Sequence, residues 1–253
     1  LFNREGRGLK LTEAGQLAYH YAEQIFSIGQ EFLNVLDGKT PGARREFKIG
    51  ISDVVPKSLA YRLIEPAFAS DLGAAIYCFE DKTERLLAQL SIAELDLVIA
   101  DRPLPPNVRV KAFNHFVGES GVSFLGVRAL ATKHKRKFPR SLHTAPLLLP
   151  TDDSAIRHEL NHWFERIGIA PLCIGEFQDR ALRKLAARDG KGIMLIPSAV
   201  EDEVRKEFDL ELIGRSTEVK EQLYLISVER RLKNPLVVQI CSKGQKKLLA
   251  KPK

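Results

Sequence analysis

With 253 residues, 44% of them apolar and 28% charged, the chain is long enough for one large domain or two modest ones and has an ordinary globular composition. No apolar run of about eighteen residues is present, which excludes a membrane-spanning helix. No charged-then-apolar leader opens the sequence, so a cytoplasmic protein is expected. A net charge of +7 and a pI near 9.3 suggest a polyanion among its partners.

The basic residues are unevenly spread. Arg128, Lys133, Lys135, Arg136, Lys137 and Arg140 form one run without an acid, and Lys243, Lys246, Lys247, Lys251 and Lys253 form another. Runs of this kind are usually solvated faces. Cys78, Cys173 and Cys241 are far apart, lack a C-x-x-C spacing and sit in apolar runs, which reads as buried thiols of a cytosolic protein.

In chain order, residues 12–37 read as one helix, with Thr12 as its N-cap and Glu13 in its first turn. Ala14, Ala18, Tyr21, Ile25, Ile28, Phe32 and Val35 form a heptad seam on this helix of about 38 Å, a pattern that pairs with a second helix. The segment 38–46 is rich in Gly, Pro and charge and reads as a hinge.

Strand and helix then alternate: strands at 46–52, 74–80 and 95–101, with helices at 56–69 and 82–93. "LDLVIAD" is too continuously apolar for an exposed strand and belongs inside a parallel sheet. A second round places strands at 121–127, 146–150, 172–177 and 192–197, with a helix at 154–168 and another ending at Gly190. Segments 108–118 and 221–229 read as connections between the two rounds, and a last helix starts near Pro235. The prediction is an α/β effector domain over 47–253. Lobe I covers about 47–115 plus 230–253, lobe II about 120–220, and a ligand cleft lies between the carboxyl ends of their strands.

"LFNREGRGLKLTEAGQLAYHYA" resembles the end of the winged helix-turn-helix of LysR-type transcriptional regulators, through Leu1, Phe2, Arg4, Arg7, Leu11, Thr12, Ala14 and Gly15. That family's effector domain resembles type 2 periplasmic binding proteins, which matches the two predicted lobes. Within the family, "CFE", "LLAQLS" and "LDLVIAD" (78–101), "GESGVSF" (118–124), "LLLP" (147–150) and "GEFQDRAL" (175–182) are similar to activators of sodium/proton antiporter genes.

The resemblance implies residues 1–11 as a wing remnant and 12–37 as the linker and dimerisation helix. Arg4, Arg7 and Lys10 would touch phosphate or a minor groove. It also implies an activator with no cofactor, with Na⁺ or Li⁺ as the possible effector. Its partners would be DNA, a second copy (dimer or tetramer), RNA polymerase and the effector, with no membrane. The recognition helix that enters the major groove would precede Leu1, so the chain is expected to be a fragment, with residues 1–11 loosely ordered.

The predicted strand ends carry carboxylates of their own: Asp53, Glu80 and Asp81, Asp101, Asp152 and Asp153, then Glu176 and Asp179. Helix capping accounts for several of these without a ligand. Two ligand chemistries stay open. Asp53, Glu80, Asp101 and Asp152, helped by oxygens of Ser52, Thr151 and Ser154, suit a hard cation such as Na⁺. Ser52, Thr151, Ser154 and Arg157, with Arg102 beside Asp101, suit a small anion. No bound metal is assigned beyond the hypothetical Na⁺. His158 and His162 stand at i and i+4, but no third ligand stands out near them. G-x-S-x-G, a P-loop and H-E-x-x-H are all missing from the sequence, so an enzyme is not expected. A solute-binding protein shares the lobes but has no use for a heptad helix.

Overall fold

The computed structural model describes residues 1–5, 8–36, 46–68, 74–104, 111–152, 154–228 and 234–249. Strands β1 (Phe2–Glu5) and β2 (Gly8–Leu11) pair antiparallel, with Phe2 opposite Leu11 and Glu5 opposite Gly8. A loosely ordered 1–11 segment is therefore replaced by a hairpin, because the two short strands satisfy each other's backbone. Leu1 and Phe2 stay more than half exposed.

Helix α1 (Glu13–Leu36) follows. The Thr12 hydroxyl accepts the Gly15 amide at 3.0 Å, and the Thr12 amide donates to the Leu1 carbonyl at 2.9 Å. A Cβ on Gly15 would stand 1.9 Å from that carbonyl oxygen, so only glycine lets the helix lie against the start of the hairpin. Along the seam, Ala14 and Ala18 are exposed, and Tyr21, Ile25, Ile28 and Phe32 are each more than half exposed. The side chains of Arg4 and Val35, Arg7 and the hinge 38–45 lie outside the described residues.

The remaining strands form one sheet. They are β3 (Glu46–Ser52), β4 (Ala75–Asp81), β5 (Leu97–Ala100), β6 (Phe113–Gly126), β7 (Pro146–Pro150), β8 (Leu172–Phe177), β9 (Ile193–Pro197) and β10 (Glu211–Ser227). Their order is β4-β3-β5-β10-β6-β9-β7-β8. In one wing β3 runs parallel to β4 and β5; in the other β7 runs parallel to β8 and β9.

The long antiparallel strands β6 and β10 join the wings and make the sheet mixed. Residues 113–126 form one strand rather than a connection plus a separate strand, and 221–228 extends back to Glu211. The ladder between β6 and β10 slips between Ser216 and Lys220, a bulge that bends the ribbon where the wings meet. Gly121 sits there, and a Cβ on it would come within 2.7 Å of the Ser216 carbonyl oxygen.

Helices cover both faces. On one face α2 (Lys57–Phe68), α6 (Arg180–Arg188), α7 (Glu201–Phe208) and α8 (Pro235–Leu249) contribute to a cluster that crosses both wings, through Leu63, Ile49, Leu225, Ile196, Val204 and Ile240. On the other face α3 (Thr83–Ser91) packs Leu86, Leu87 and Leu90 against Val98. There α4 (Arg128–His134) and α5 (Ala155–Arg166) enclose Phe124, Trp163 and Phe164. A fully buried side chain of this size contributes about 1.5–3 kcal/mol, so the crossing cluster binds the wings into one body.

All four residues of β5 and all five of β9 are buried. The edge strands are not: Tyr77, Cys78 and Phe79 on β4, and Leu172, Cys173 and Ile174 on β8, are exposed. Two of the three cysteines are therefore exposed and Cys241 is only partly covered, contrary to the buried-thiol expectation. Edge strands leave side chains without a covering layer that the apolar pattern alone does not reveal.

Candidate functional site

A cleft of about 600 Å³ opens between the carboxyl ends of β3 and β4 in one wing and β8 and β9 in the other. The α2 side brings Asp53, Val55 and Lys57, and Glu80 follows on β4. The opposite wall brings Asp179, Arg180, Arg183 and Lys184, with Ile196, Pro197 and Val200 as apolar floor.

Most of these charges have partners. Lys57 Nζ stands 2.6 Å from Glu80, and Asp179 caps α6 by accepting the Leu182 amide at 2.7 Å. Arg180 donates to the buried Glu221 of β10 at 2.6 Å. Lys184 Nζ lies 5.4 Å from the centre of the Phe208 ring. Arg62 of α2 reaches across the cleft, donating to the Ala199 carbonyl at 2.8 Å and to Glu203 of α7, and so clasps one wing to the other.

Arg183 is buried without such partners. It is 2% exposed, and its Nε and Nη1 have no hydrogen-bond partner. Burial, followed by the charge of Arg180, pushes its guanidinium down to about 9, with Glu221 opposing.

A smaller cavity of about 330 Å³ is lined by Ser52, Asp53, Thr83 and Arg102. The Ser52 and Thr83 hydroxyls lie 2.9 Å apart, both buried. Asp53 lines both cavities, and its amide donates to the Asp81 carbonyl at 3.1 Å. Asp101 is buried behind them, with Arg102 Nε at 3.5 Å. Burial pushes the Asp101 carboxyl up, Arg102 pulls it down, and the Glu221 charge raises it again.

Asp101→Asn is therefore expected to raise the thermal midpoint at pH 7. Asp101 is costly only while ionised in the fold. That cost is complete above the raised carboxyl value and fades as the pH falls through it toward the ordinary 3.8, since the folded state then takes the proton first. Thermal melts at pH 7 and pH 4 check this; a lower midpoint for the variant at pH 7 counts against it.

The sequence-predicted residues separate into groups. Ser52, Asp53, Glu80 and Arg102 line the two cavities, while Asp101, Thr151, Asp152, Ser154 and Arg157 line neither. Asp53, Glu80, Asp101 and Asp152 thus do not form one ring of carboxylates.

Arg157 is buried and already committed. It donates to the Pro150 carbonyl at 2.7 Å, Asn161 at 3.1 Å and Glu176 at 2.8 Å, with Asp152 at 3.4 Å. The Ser154 hydroxyl donates to the Thr151 carbonyl at 3.0 Å. This group ties β7, β8 and α5 together rather than presenting an anion clamp. Asp153 lies outside the described residues, and His158 and His162 are both exposed. Sequence reasoning missed the basic wall of α6, although Arg180, Arg183 and Lys184 stand at i, i+3 and i+4 on one helical face.

Comparison with known proteins gives one consistent answer. Residues 41–240 match the LysR substrate binding domain. The chain is 32% identical over 242 residues to the transcriptional activator protein NhaR of Escherichia coli, covering 96% of this chain and 79% of that protein. The crystal structure of CbnR, a LysR family transcriptional regulator, superposes with a TM-score of 0.66 at 18% identity, covering 96% of this chain and 84% of that one. The reduced regulatory domain of OxyR2 from Vibrio vulnificus gives 0.64 at 16%, covering 81% and 96%. At those identities the two structures speak for the fold.

Proposed function

The chain belongs to the LysR family of transcriptional regulators, and from that premise we propose that it is a transcriptional activator whose two-winged domain senses a small effector in the cleft. The observation that carries this reading is the cleft itself, walled by both wings and bridged by Arg62. An effector that prefers one wing arrangement shifts the population of that arrangement. The exposed apolar seam of α1 is the face on which a second copy would pair, as dimer or tetramer, and so couple the effector domains to DNA. As a DNA-contacting wing, the β1–β2 pair with Lys10 would add contacts to phosphate, and activation would engage RNA polymerase.

The sodium reading extends the likeness to NhaR: the protein would control sodium/proton antiporter genes and respond to Na⁺ or Li⁺. Its support here is Asp53, which faces both cavities beside the oxygens of Ser52 and Thr83, donors suited to a hard cation. Thermal melts in NaCl, LiCl and KCl at equal ionic strength test it. The expected result is a rise of several degrees with Na⁺ or Li⁺ over K⁺, weakened in Asp53→Asn. Equal midpoints in all three salts remove sodium as the effector.

A further inference from the structure

We propose that the basic loop of the β7–β9 wing is a surface that grips the phosphate backbone of duplex DNA, separate from the β1–β2 pair and from the cleft. This goes beyond the effector reading and needs no ligand in the cleft.

The loop joins the end of β6 to the start of β7 through α4 and two short 3-10 turns, Lys135–Lys137 and Arg140–Leu142. Strand β7 runs parallel to β8 and β9, whose carboxyl ends wall the cleft, so the loop stands at the opposite end of that wing. Arg128, Lys133, Lys135, Arg136, Lys137 and Arg140 are all exposed. Arg128 reaches Glu211 only at 4.0 Å, and among the described residues the other five have no salt bridge. Six cations with no acid between them repel one another and gather counterions that a polyanion would displace.

The loop is held in place from beneath. His134, buried at the end of α4, donates from Nδ1 to the Ser141 carbonyl at 2.7 Å, and the Ser141 hydroxyl donates back to the His134 carbonyl. These two bonds close the segment between them. Phe138, in its middle, has its ring 5.4 Å from that of Phe124 in the core. A Cβ on Gly214 would stand 2.3 Å from the Phe138 ring, so β10 carries glycine where the loop is anchored. Leu142 is fully buried. The cations therefore sit on a fixed frame, and little backbone freedom is lost when they bind.

The surface has charge but no apolar anchor. Among the described residues, no large hydrophobic side chain between Phe116 and Leu172 is exposed. A membrane-surface segment needs an apolar face to insert, and protein interfaces centre on buried aromatic or aliphatic anchors. A phosphate backbone asks only for cations and hydrogen-bond donors. In a member of a family of transcriptional regulators, duplex DNA is the polyanion that fits. Phosphate contacts position DNA without choosing its sequence, so the loop would hold DNA that another part of the protein selects.

The test is fluorescence anisotropy of a labelled random-sequence duplex of about 30 base pairs, from about 50 to 200 mM KCl. Three variants are compared with the wild-type chain. The loop variant combines Lys133→Gln, Lys135→Gln, Arg136→Gln and Lys137→Gln. A charge-matched control removes four exposed cations elsewhere, with Arg85→Gln, Lys111→Gln, Arg166→Gln and Lys206→Gln. The hairpin variant combines Arg4→Gln, Arg7→Gln and Lys10→Gln. Exposed positions tolerate such changes, so the loop variant and the control should melt within about 3 °C of wild type. The loop variant is expected to bind roughly 10- to 100-fold more weakly at the lowest salt, with the slope of log affinity against log salt reduced by about 3. The control should stay within about twofold of wild type at equal salt.

Losses in both the loop and the hairpin variants support two separate contacts. Equal losses in the loop variant and the control overturn the proposal, since net charge alone would then account for binding. So does a loop variant that binds like wild type, or a wild-type chain that leaves the duplex free at the lowest salt. Loss confined to the hairpin variant removes the loop as a DNA contact and leaves the regulator reading standing. Tighter binding to phosphatidylserine vesicles or to poly-glutamate than to the duplex, at equal salt, would make the partner a membrane or an acidic protein and overturns the choice of DNA.

Discussion

Phe124→Ala is expected to cost about 3–5 kcal/mol of stability and to lower the thermal midpoint by roughly 10 °C. Phe124 has no exposed surface and lies on β6, one of the two strands that join the wings. Its ring stands 5.4 Å from Phe138 and 5.8 Å from Trp163, and Trp163 is 5.3 Å from Phe164. Such pairs add about 0.5–1.5 kcal/mol beyond their buried area. The cavity left by alanine cannot close easily, because the neighbouring rings are held by α5 and by the segment after α4. Trp163 is the only tryptophan and is 2% exposed, so its fluorescence reports this cluster directly. Urea melts followed at Trp163 should show a lower midpoint with an unchanged slope. A loss below about 1 kcal/mol would mean that the cluster repacks freely.

The second large effect belongs to Glu201, 2% exposed at the start of α7. Its carboxylate accepts the Ser123 hydroxyl of β6 at 2.7 Å and two bonds from Arg215 of β10, at 2.6 and 2.8 Å. Arg205 adds a weaker contact at 3.3 Å. One acid thus fastens a helix to both crossing strands. Burial alone would push its carboxyl up, but the bonds from Arg215 and Ser123 and the charges of Arg215 and Arg205 outweigh it and hold it below the ordinary range.

Removing one member of a buried pair typically costs about 3–5 kcal/mol. Arg215 is half exposed, so water recovers part of that, and Glu201→Ala should lose about 2–3 kcal/mol. The pH dependence has a definite sign. A depressed folded value makes the contribution complete above the ordinary 4.5 and loses it as the pH falls through the folded value. The stability gap between wild type and Glu201→Gln should accordingly be flat from pH 8 to about pH 5.5 and shrink below pH 4.5. A gap that widens in acid would mean that Glu201 is not held as the carboxylate.

The two effects share a location. Phe124 and Ser123 are adjacent on β6, so one side chain is fixed by rings on one face and the next by Glu201 on the other. The crossing ribbon is therefore anchored from both sides of the sheet.

Local periodicity determined much of this architecture before any coordinate. The spacing from Ala14 to Phe32 specified α1 and its exposed seam, Thr12 and Asp179 were legible as caps, and the continuous apolar run at Leu97–Ala100 marked an interior strand. These features depend on residues within a few positions of one another, which is why a sequence carries them. The family likeness was legible for a related reason: Gly15 answers a contact with Leu1 only fourteen positions away.

Tertiary structure alone decided the rest. The sequence separates a connection at 108–118 from a strand at 121–127, but long-range pairing with β10 makes them one strand, β6. Helices α4 and α7 are short and polar, and α7 is held largely through Glu201 and Val204, so neither has a pattern to read. The exposure of Cys78 and Cys173 depends on which strands fall at the sheet edges. The site shows this dependence most plainly. Arg157 and Arg183 are both arginines on amphipathic helices, yet one has its donors bound within its own wing and the other is buried with Nε and Nη1 lacking an acceptor. What surrounds a charge is set by elements distant in sequence, which is why the two arginines could not be told apart before the fold was known.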